Sequence, residues 1–65
     1  MRAWLTMDKK EVISLHFFKP RKYENFWSSI YQIALTQEDL PEGINPQWTD
    51  VEPTEVEINI KAKEA

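Results

Sequence analysis

Residues 3–17 read Ala3-Trp4-Leu5-Thr6-Met7-Asp8-Lys9-Lys10-Glu11-Val12-Ile13-Ser14-Leu15-His16-Phe17. Two alternating runs, residues 3–7 and 12–17, flank a polar cluster. Apolar residues recur at every second position of each run, which is typical of a β-strand with one face towards a core. The stretch therefore predicts a β-hairpin.

The register of this hairpin follows from its faces. A two-residue loop at residues 9–10 would place Leu5 opposite Ser14, whereas an odd-length loop places Leu5 opposite Leu15. We predict the odd register, with a three- or five-residue loop around Lys9-Lys10-Glu11, because it keeps one face apolar. A three-residue loop usually has glycine at its left-handed position, and this loop has none. The predicted pairs are Met7 with Ile13, Leu5 with Leu15, and Ala3 with Phe17.

The segment after the hairpin allows two interpretations. Pro20 cannot donate a ladder hydrogen bond, so the second strand should end near Phe18. Residues 26–35 fit a helix capped by Asn25, and they fit a strand at 31–35 almost equally well. The helix would bury the stripe Phe26, Trp27, Ile30, Tyr31 and Ala34, and the strand would bury Tyr31, Ile33 and Leu35.

The last third of the chain predicts one turn, a loop and a strand. Thr36 with Asp39 three residues on, followed by Pro41, indicates a single helical turn at 37–40. Residues 42–53 are loop and carry the only glycine. From residue 53 to residue 62 the chain alternates with few breaks. Val56, Ile58 and Ile60 share one face, and Glu55, Glu57, Asn59 and Lys61 share the other.

The order of these motifs resembles a set of small uncharacterised proteins from phage and mobile-element regions of Bacteroides-type gut bacteria. The likeness spans nearly the whole chain, and its most specific part is the block Trp-x-Asp-x-Glu-Pro-x-x-Val at residues 48–56. Members often have glycine in the first hairpin loop, where this chain has Lys10-Glu11. The resemblance implies a strand at 30–35 and a mobile-element setting, and it attaches no activity. The motifs that carry it are the hairpin ending at Lys19-Pro20, Trp27, Tyr31-x-Ile33, Asp39-Leu40-Pro41, Pro46-Gln47-Trp48-Thr49-Asp50 and residues 52–58.

The predicted architecture is a single small domain over residues 1–65. Its fold class is mainly β: a small antiparallel sheet or partly open barrel of three to five short strands with one short helical turn. A small α+β domain with a helix at 26–35 is the alternative. The chain has no cysteine, which excludes disulfides and thiolate zinc sites, so a dense aromatic core or self-association must supply stability.

No feature of the sequence indicates catalysis. His16, the only histidine, is expected to be half-exposed, and nothing selects Ser14, Ser28 or Ser29 as its partner. One glycine cannot build a phosphate-binding loop. We therefore expect no enzymatic activity, no cofactor and no metal. No targeting signal or long apolar run is visible, so we expect a cytoplasmic protein that does not enter a membrane.

Charge divides the chain and suggests where partners bind. Residues 1–34 carry six basic and three acidic groups, and residues 35–65 carry two basic and eight acidic groups. We predict a non-enzymatic accessory protein acting through protein contacts, with an unknown protein or a second copy of itself as partner. The alternatives are nucleic-acid binding through the basic and aromatic segment 19–27, or nucleic-acid mimicry by the acidic half. The candidate interaction residues are Lys19, Arg21, Lys22, Tyr23, Trp27, Trp48, Asp50 and Glu52.

Overall fold

A computed structural model describes residues 1–58. The predicted alternation at Asn59, Ile60 and Lys61 lies outside the described residues. The elements are β1 (Arg2–Met7), β2 (Ile13–His16), β3 (Arg21–Lys22), β4 (Trp27–Ser28), β5 (Gln32–Leu35), a 3-10 turn (Gln37–Asp39) and β6 (Thr54–Glu57).

The main sheet has four antiparallel strands in the order β5-β2-β1-β6, and β3 and β4 form a separate two-stranded ribbon. The predicted fold class, a small antiparallel β domain with one helical turn, is confirmed. The alternative helix at 26–35 is wrong, because this segment divides into β4 and β5. The sheet is open, so β5 and β6 form its two edges among the described residues.

The predicted register of the first hairpin is confirmed. Leu5 pairs with Leu15 and Met7 pairs with Ile13. Five residues, 8–12, connect the two strands. One apolar face therefore runs across the hairpin, and it continues onto β5 because Leu15 also pairs with Ile33.

The hairpin loop places Glu11 in a left-handed backbone conformation, with φ of 66°. The Asp8 amide donates to the Val12 carbonyl at 3.0 Å, and the Glu11 amide donates to the Asp8 carbonyl at 3.0 Å. The Asp8 carboxylate also accepts from the Lys10 amide at 2.8 Å and the Val12 amide at 2.9 Å. This is a three-residue turn with a bulge, in which Glu11 occupies the position that glycine usually takes.

Replacing Glu11 with glycine is expected to stabilise the protein. A side chain in the left-handed region costs about 1–2 kcal/mol, and glycine avoids this cost. Glycine also has more conformational freedom in the unfolded chain, which reduces the gain by about 0.5–1 kcal/mol. The expected net gain is up to about 1 kcal/mol, measurable by urea unfolding followed by tryptophan fluorescence. Glu11→Ala removes the carboxylate but not the strain, so a gain equal to that of glycine would contradict this explanation.

The ribbon β3–β4 was not predicted, since its strands are too short to show a period. Arg21 pairs with Ser28 and Lys22 pairs with Trp27. The Tyr23 amide donates to the Phe26 carbonyl at 2.7 Å, which closes the ribbon with a two-residue turn. The Lys9 amide donates to the Asn25 carbonyl at 3.1 Å, so this turn lies against the loop of the first hairpin.

Both faces of the sheet are buried at its centre. Ala3, Leu5 and Ile13 are buried on the apolar face. On the opposite face Thr6 and His16 are also buried, and His16 has no exposed surface. The expectation of a half-exposed His16 is therefore wrong. The alternation of apolar and polar residues predicts a solvent-exposed second face. Residues that follow the ribbon cover this face, as the contacts of Ser29 show below.

The connection from β5 to β6 contains the predicted turn and the predicted long loop. The Asp39 carboxylate accepts from the Thr36 amide at 2.9 Å and the Thr36 hydroxyl at 3.0 Å, and these two bonds lower the pKa of Asp39. The loop then passes from one edge strand to the other. Its residues Asn45 and Gln47 line a cleft beside Ile13, and Pro46 is buried.

Candidate interaction surface

Lys22 connects the ribbon to the long loop. Its ammonium group donates to the carbonyl oxygens of Trp48 at 2.7 Å and Asp50 at 2.8 Å. The same ammonium lies 4.2 Å from the ring centroid of Trp48 and 5.5 Å from that of Trp27, within range of cation–π attraction. Four of the eight candidate residues, Lys22, Trp27, Trp48 and Asp50, thus meet in one cluster, which we call the lysine clamp.

The groups of the lysine clamp bond to one another within the chain. Trp27 is 5% exposed, so its ring is not available to stack on a base or a partner. The Asp50 carboxylate accepts from the Gln47 amide at 3.0 Å, and the Asp50 amide donates to the Gln47 carbonyl at 3.1 Å, which closes a turn at 47–50. These residues hold the loop on the ribbon.

The other candidate residues lie on the surface. Lys19 and Glu52 approach at 4.0 Å, with both side chains largely exposed. Such a pair contributes about 0–1 kcal/mol. Arg21 is exposed, and Tyr23 stacks on Phe26 with ring centroids 5.2 Å apart at the tip of the ribbon. The basic and acidic halves of the chain thus meet at several points, one of which is the 3.1 Å contact between Arg2 and Glu55.

His16 forms the centre of a buried hydrogen-bond network. Its Nε2 lies 2.8 Å from the Thr6 hydroxyl, and its Nδ1 lies 2.7 Å from the Ser29 hydroxyl. The Ser29 hydroxyl donates to the Tyr31 carbonyl at 3.0 Å, and the Ser29 amide donates to the Gln32 side chain at 3.1 Å. Ser29 therefore fastens the segment after β4 onto the second face of the sheet.

The Ser29 hydroxyl and the burial of the ring together indicate the protonation state of His16. Because the single proton of the Ser29 hydroxyl goes to the Tyr31 carbonyl, Nδ1 of His16 carries a proton and donates to Ser29. Burial lowers the pKa of His16, which favours the neutral imidazole. In that form Nε2 carries no proton and accepts from the Thr6 hydroxyl at 2.8 Å. In this arrangement His16 does not act as a base towards Ser29, and no carboxylate orients the ring within residues 1–58.

Exposed apolar side chains gather along β5 and the residues just before it. Ile30 is 84% exposed, Tyr31 is 65% exposed and Ile33 is 49% exposed. β5 holds neither a charged residue nor a proline, the two features that usually protect an edge strand. We call this surface, residues 30–35, the β5 edge.

The hydrogen-bond pattern within residues 1–58 shows which backbone groups of the β5 edge have no partner in that part of the chain. The Phe17 amide donates to the Tyr31 carbonyl at 3.2 Å, so Tyr31 directs its backbone groups towards β2. The direction of the backbone amide and carbonyl groups alternates from residue to residue along a strand. The backbone groups of Ile33 and Leu35 therefore also point towards β2. The amide and carbonyl groups of Gln32 and Ala34 point away from the sheet.

The opposite edge differs in its charge. The Ile58 amide donates to the Met1 carbonyl at 2.8 Å, so by the same alternation Glu55 and Glu57 carry the outward backbone groups of β6. Both side chains are carboxylates, and Pro53 precedes the strand. An added strand is disfavoured there by charge and by proline, as at most natural edges.

Sequence reasoning missed the β5 edge and the His16 network as sites. The β5 edge had a signal, namely a strand pattern without any charge between Tyr31 and Leu35. The His16 network had none, because Thr6, His16 and Ser29 are brought together by tertiary packing. Within residues 1–58 no group of three potential ligand side chains forms a metal site.

Among the described residues, the structure contains no helix with the length and apolar character needed to span a bilayer. Comparison of the chain with protein-family models, with curated proteins and with solved structures finds no match.

Proposed function

We propose that this chain is a non-enzymatic accessory protein that acts in the cytoplasm through protein contacts made at the β5 edge. The observation that carries the proposal is that one uncharged strand has both outward backbone groups without a partner in residues 1–58 and exposed apolar side chains. An extended segment that adds to such an edge gains main-chain hydrogen bonds and covers the side chains on that face. A mobile-element origin, suggested by the resemblance of residues 48–56, forms part of the proposal.

The absence of protection on β5 supports this function over a purely structural role for the strand. Exposed, uncharged edge strands favour aggregation, so proteins that leave one open usually have a use for it. The His16 network is buried, and the Lys22 ammonium in the lysine clamp already bonds to two carbonyl groups of the chain. The β5 edge presents its side chains and its backbone outwards.

Site-specific photocrosslinking tests the proposal without assuming the partner. A photoreactive amino acid replaces Ile33 in one variant and Val51, which is 85% exposed and distant in sequence from the edge, in a control variant. After illumination in living cells, position 33 is expected to yield protein adducts that position 51 does not. The absence of specific adducts at position 33, or adducts with nucleic acid alone, would contradict the proposal.

A second candidate function is nucleic-acid binding, and one contact favours a modified form of it. The bond between the Lys9 amide and Asn25 places Lys9 and Lys10 beside the exposed Phe26, and the three residues line one depression. Basic groups next to stacked aromatic rings are the components of single-strand binding surfaces. The surface would then consist of the two hairpin tips, with Tyr23 retained and Lys22 and Trp27 excluded.

Fluorescence anisotropy with labelled single-stranded DNA and RNA tests this candidate. Binding should weaken steeply as salt rises and should be lost in the Lys9→Ala/Lys10→Ala variant. Lys19→Ala serves as the matched control, because it removes a surface charge away from the tips. No binding at low salt would remove this candidate.

A further inference from the structure

We infer that the occupant of the β5 edge is the β5 strand of a second copy of this chain, paired antiparallel about a twofold axis at Ile33. This inference rests on the proposed function and specifies the partner at the same site. The two sheets would then join into one continuous eight-stranded sheet, formed from two four-stranded sheets of the order described above.

The free backbone groups select a single register. Gln32 and Ala34 are the residues of β5 with outward amides and carbonyls. The best pairing therefore places Gln32 of one copy opposite Ala34 of the second copy, and Ala34 opposite Gln32. The two outward amides and two outward carbonyls of each strand then all form hydrogen bonds with the other strand. Shifting the second strand by two residues in one direction requires the Thr36 amide, which already donates to Asp39. Shifting it the other way requires Ile30, which lies in a bend outside β5.

The selected register is also self-complementary in its side chains. Ile33 lies opposite Ile33 of the second copy as a non-hydrogen-bonded pair, in which side chains approach most closely. Tyr31 lies opposite Leu35 of the second copy on the same face. Tyr31, Ile33 and Leu35 of one copy therefore contact the same residues of its partner, as a twofold interface requires.

Charges at the two ends of β5 favour the same orientation. Glu38 and Asp39 follow the strand in the 3-10 turn. Lys19 and Arg21 line one depression together with Ile30, which precedes the strand. Antiparallel pairing moves the acidic turn of each copy towards the basic end of the other. The same operation at β6 would set Glu55 opposite Glu57, a like-charge pair that destabilises a ladder.

Amide hydrogen exchange tests the inference on the unmodified protein. The Gln32 and Ala34 amides are expected to exchange quickly at about 20 µM and to become protected as the concentration approaches about 1 mM, a range that detects weak association. The Ile33 amide, which bonds to β2, should be protected throughout and serves as the control within the same strand. Protection of Gln32 and Ala34 that does not depend on concentration would overturn the inference.

A single introduced cysteine tests the register, since the chain has no cysteine of its own. Ile33→Cys is expected to form a disulfide-linked dimer under mild oxidation much faster than Val51→Cys, because the paired Cβ atoms lie within disulfide range. Ile33→Lys should raise the dimer Kd at least about tenfold in sedimentation equilibrium, whereas Val51→Lys should not. Equal crosslinking at positions 33 and 51, or a dimer unaffected by Ile33→Lys, would overturn the inference. Photoadducts of position 33 with other proteins alone would overturn it while leaving the proposed function standing.

Discussion

Replacing Trp27 with alanine is expected to remove a third or more of the free energy of unfolding at 25 °C. Trp27 is the largest buried apolar side chain within residues 1–58, and its truncation should cost about 3–5 kcal/mol. A domain of 65 residues has a total stability on the order of 3–10 kcal/mol. The loss should appear in urea unfolding followed by far-ultraviolet circular dichroism.

Trp27→Phe is the matched variant for this prediction. The indole Nε1 of Trp27 is buried and has no hydrogen-bond partner among the described residues. An unpaired buried donor costs about 1–3 kcal/mol, so removing it should offset much of the packing that the smaller ring loses. We expect a net change of about 1 kcal/mol or less. If phenylalanine were as damaging as alanine, the indole N–H would have a role that its surroundings do not show.

Replacing His16 with alanine is expected to cost about 2–4 kcal/mol, because it leaves a cavity and deprives the Thr6 and Ser29 hydroxyls of their shared partner. His16→Gln fills more of the space and can bond to one hydroxyl, so it should cost less. Chemical unfolding of both variants measures the difference. Equal losses would mean that packing, and not hydrogen bonding, determines the choice of residue 16.

Acid is expected to destabilise the protein through the same residue. Burial lowers the pKa of His16 in the folded state, whereas the unfolded chain retains a value of about 6.5. As the pH falls below about 6.5, the unfolded state binds the proton first, so the free energy of unfolding decreases. The decrease ends once the pH lies below the lowered pKa of the folded state. Above about 6.5 both states are neutral and the contribution is fully present.

His16→Gln is the control for the pH dependence, since His16 is the only histidine in the chain. The variant should show a flat free energy of unfolding across the interval in which the native protein loses stability. The lowered pKa of Asp39 acts separately, at pH values below the ordinary value of 3.8 for that carboxyl. A native protein as stable just above pH 5 as at pH 7 would contradict the neutral assignment of His16.

The sequence predicts those parts of the fold that depend on a period of two. The register of β1 and β2 follows from the positions of Leu5 and Leu15, because a one-residue slip would expose the whole apolar face. The turn at 37–39 follows from Thr36 and Asp39 through local hydrogen bonds. Both depend on contacts between residues close in the chain.

The remainder depends on contacts between distant residues. A ribbon with two-residue strands has no measurable period, so the sequence shows β3 only as a break after the hairpin and leaves β4 inside the ambiguous segment 26–35. The alternation also assigns the covered second face to solvent. The sequence singles out the residues of the lysine clamp by type as candidate interaction residues. Their contact with one another results from Lys22 donating to the carbonyls of residues 48 and 50, which no spacing in the sequence indicates.

The position of β1 between β2 and β6 determines the order in which the protein folds. The hairpin of β1 and β2 is local and forms on a timescale of about 1–10 µs. The pairing of Ala3 with Val56 closes nearly the whole described chain and must follow later. At a synthesis rate of about 5–20 residues per second, residues 54–57 are added seconds after β1. The edge of β1 that later pairs with β6 therefore stays unpaired for that time. In this interval the nascent chain exposes a second open edge, and a chaperone or a premature contact can reach β1 before β6 does.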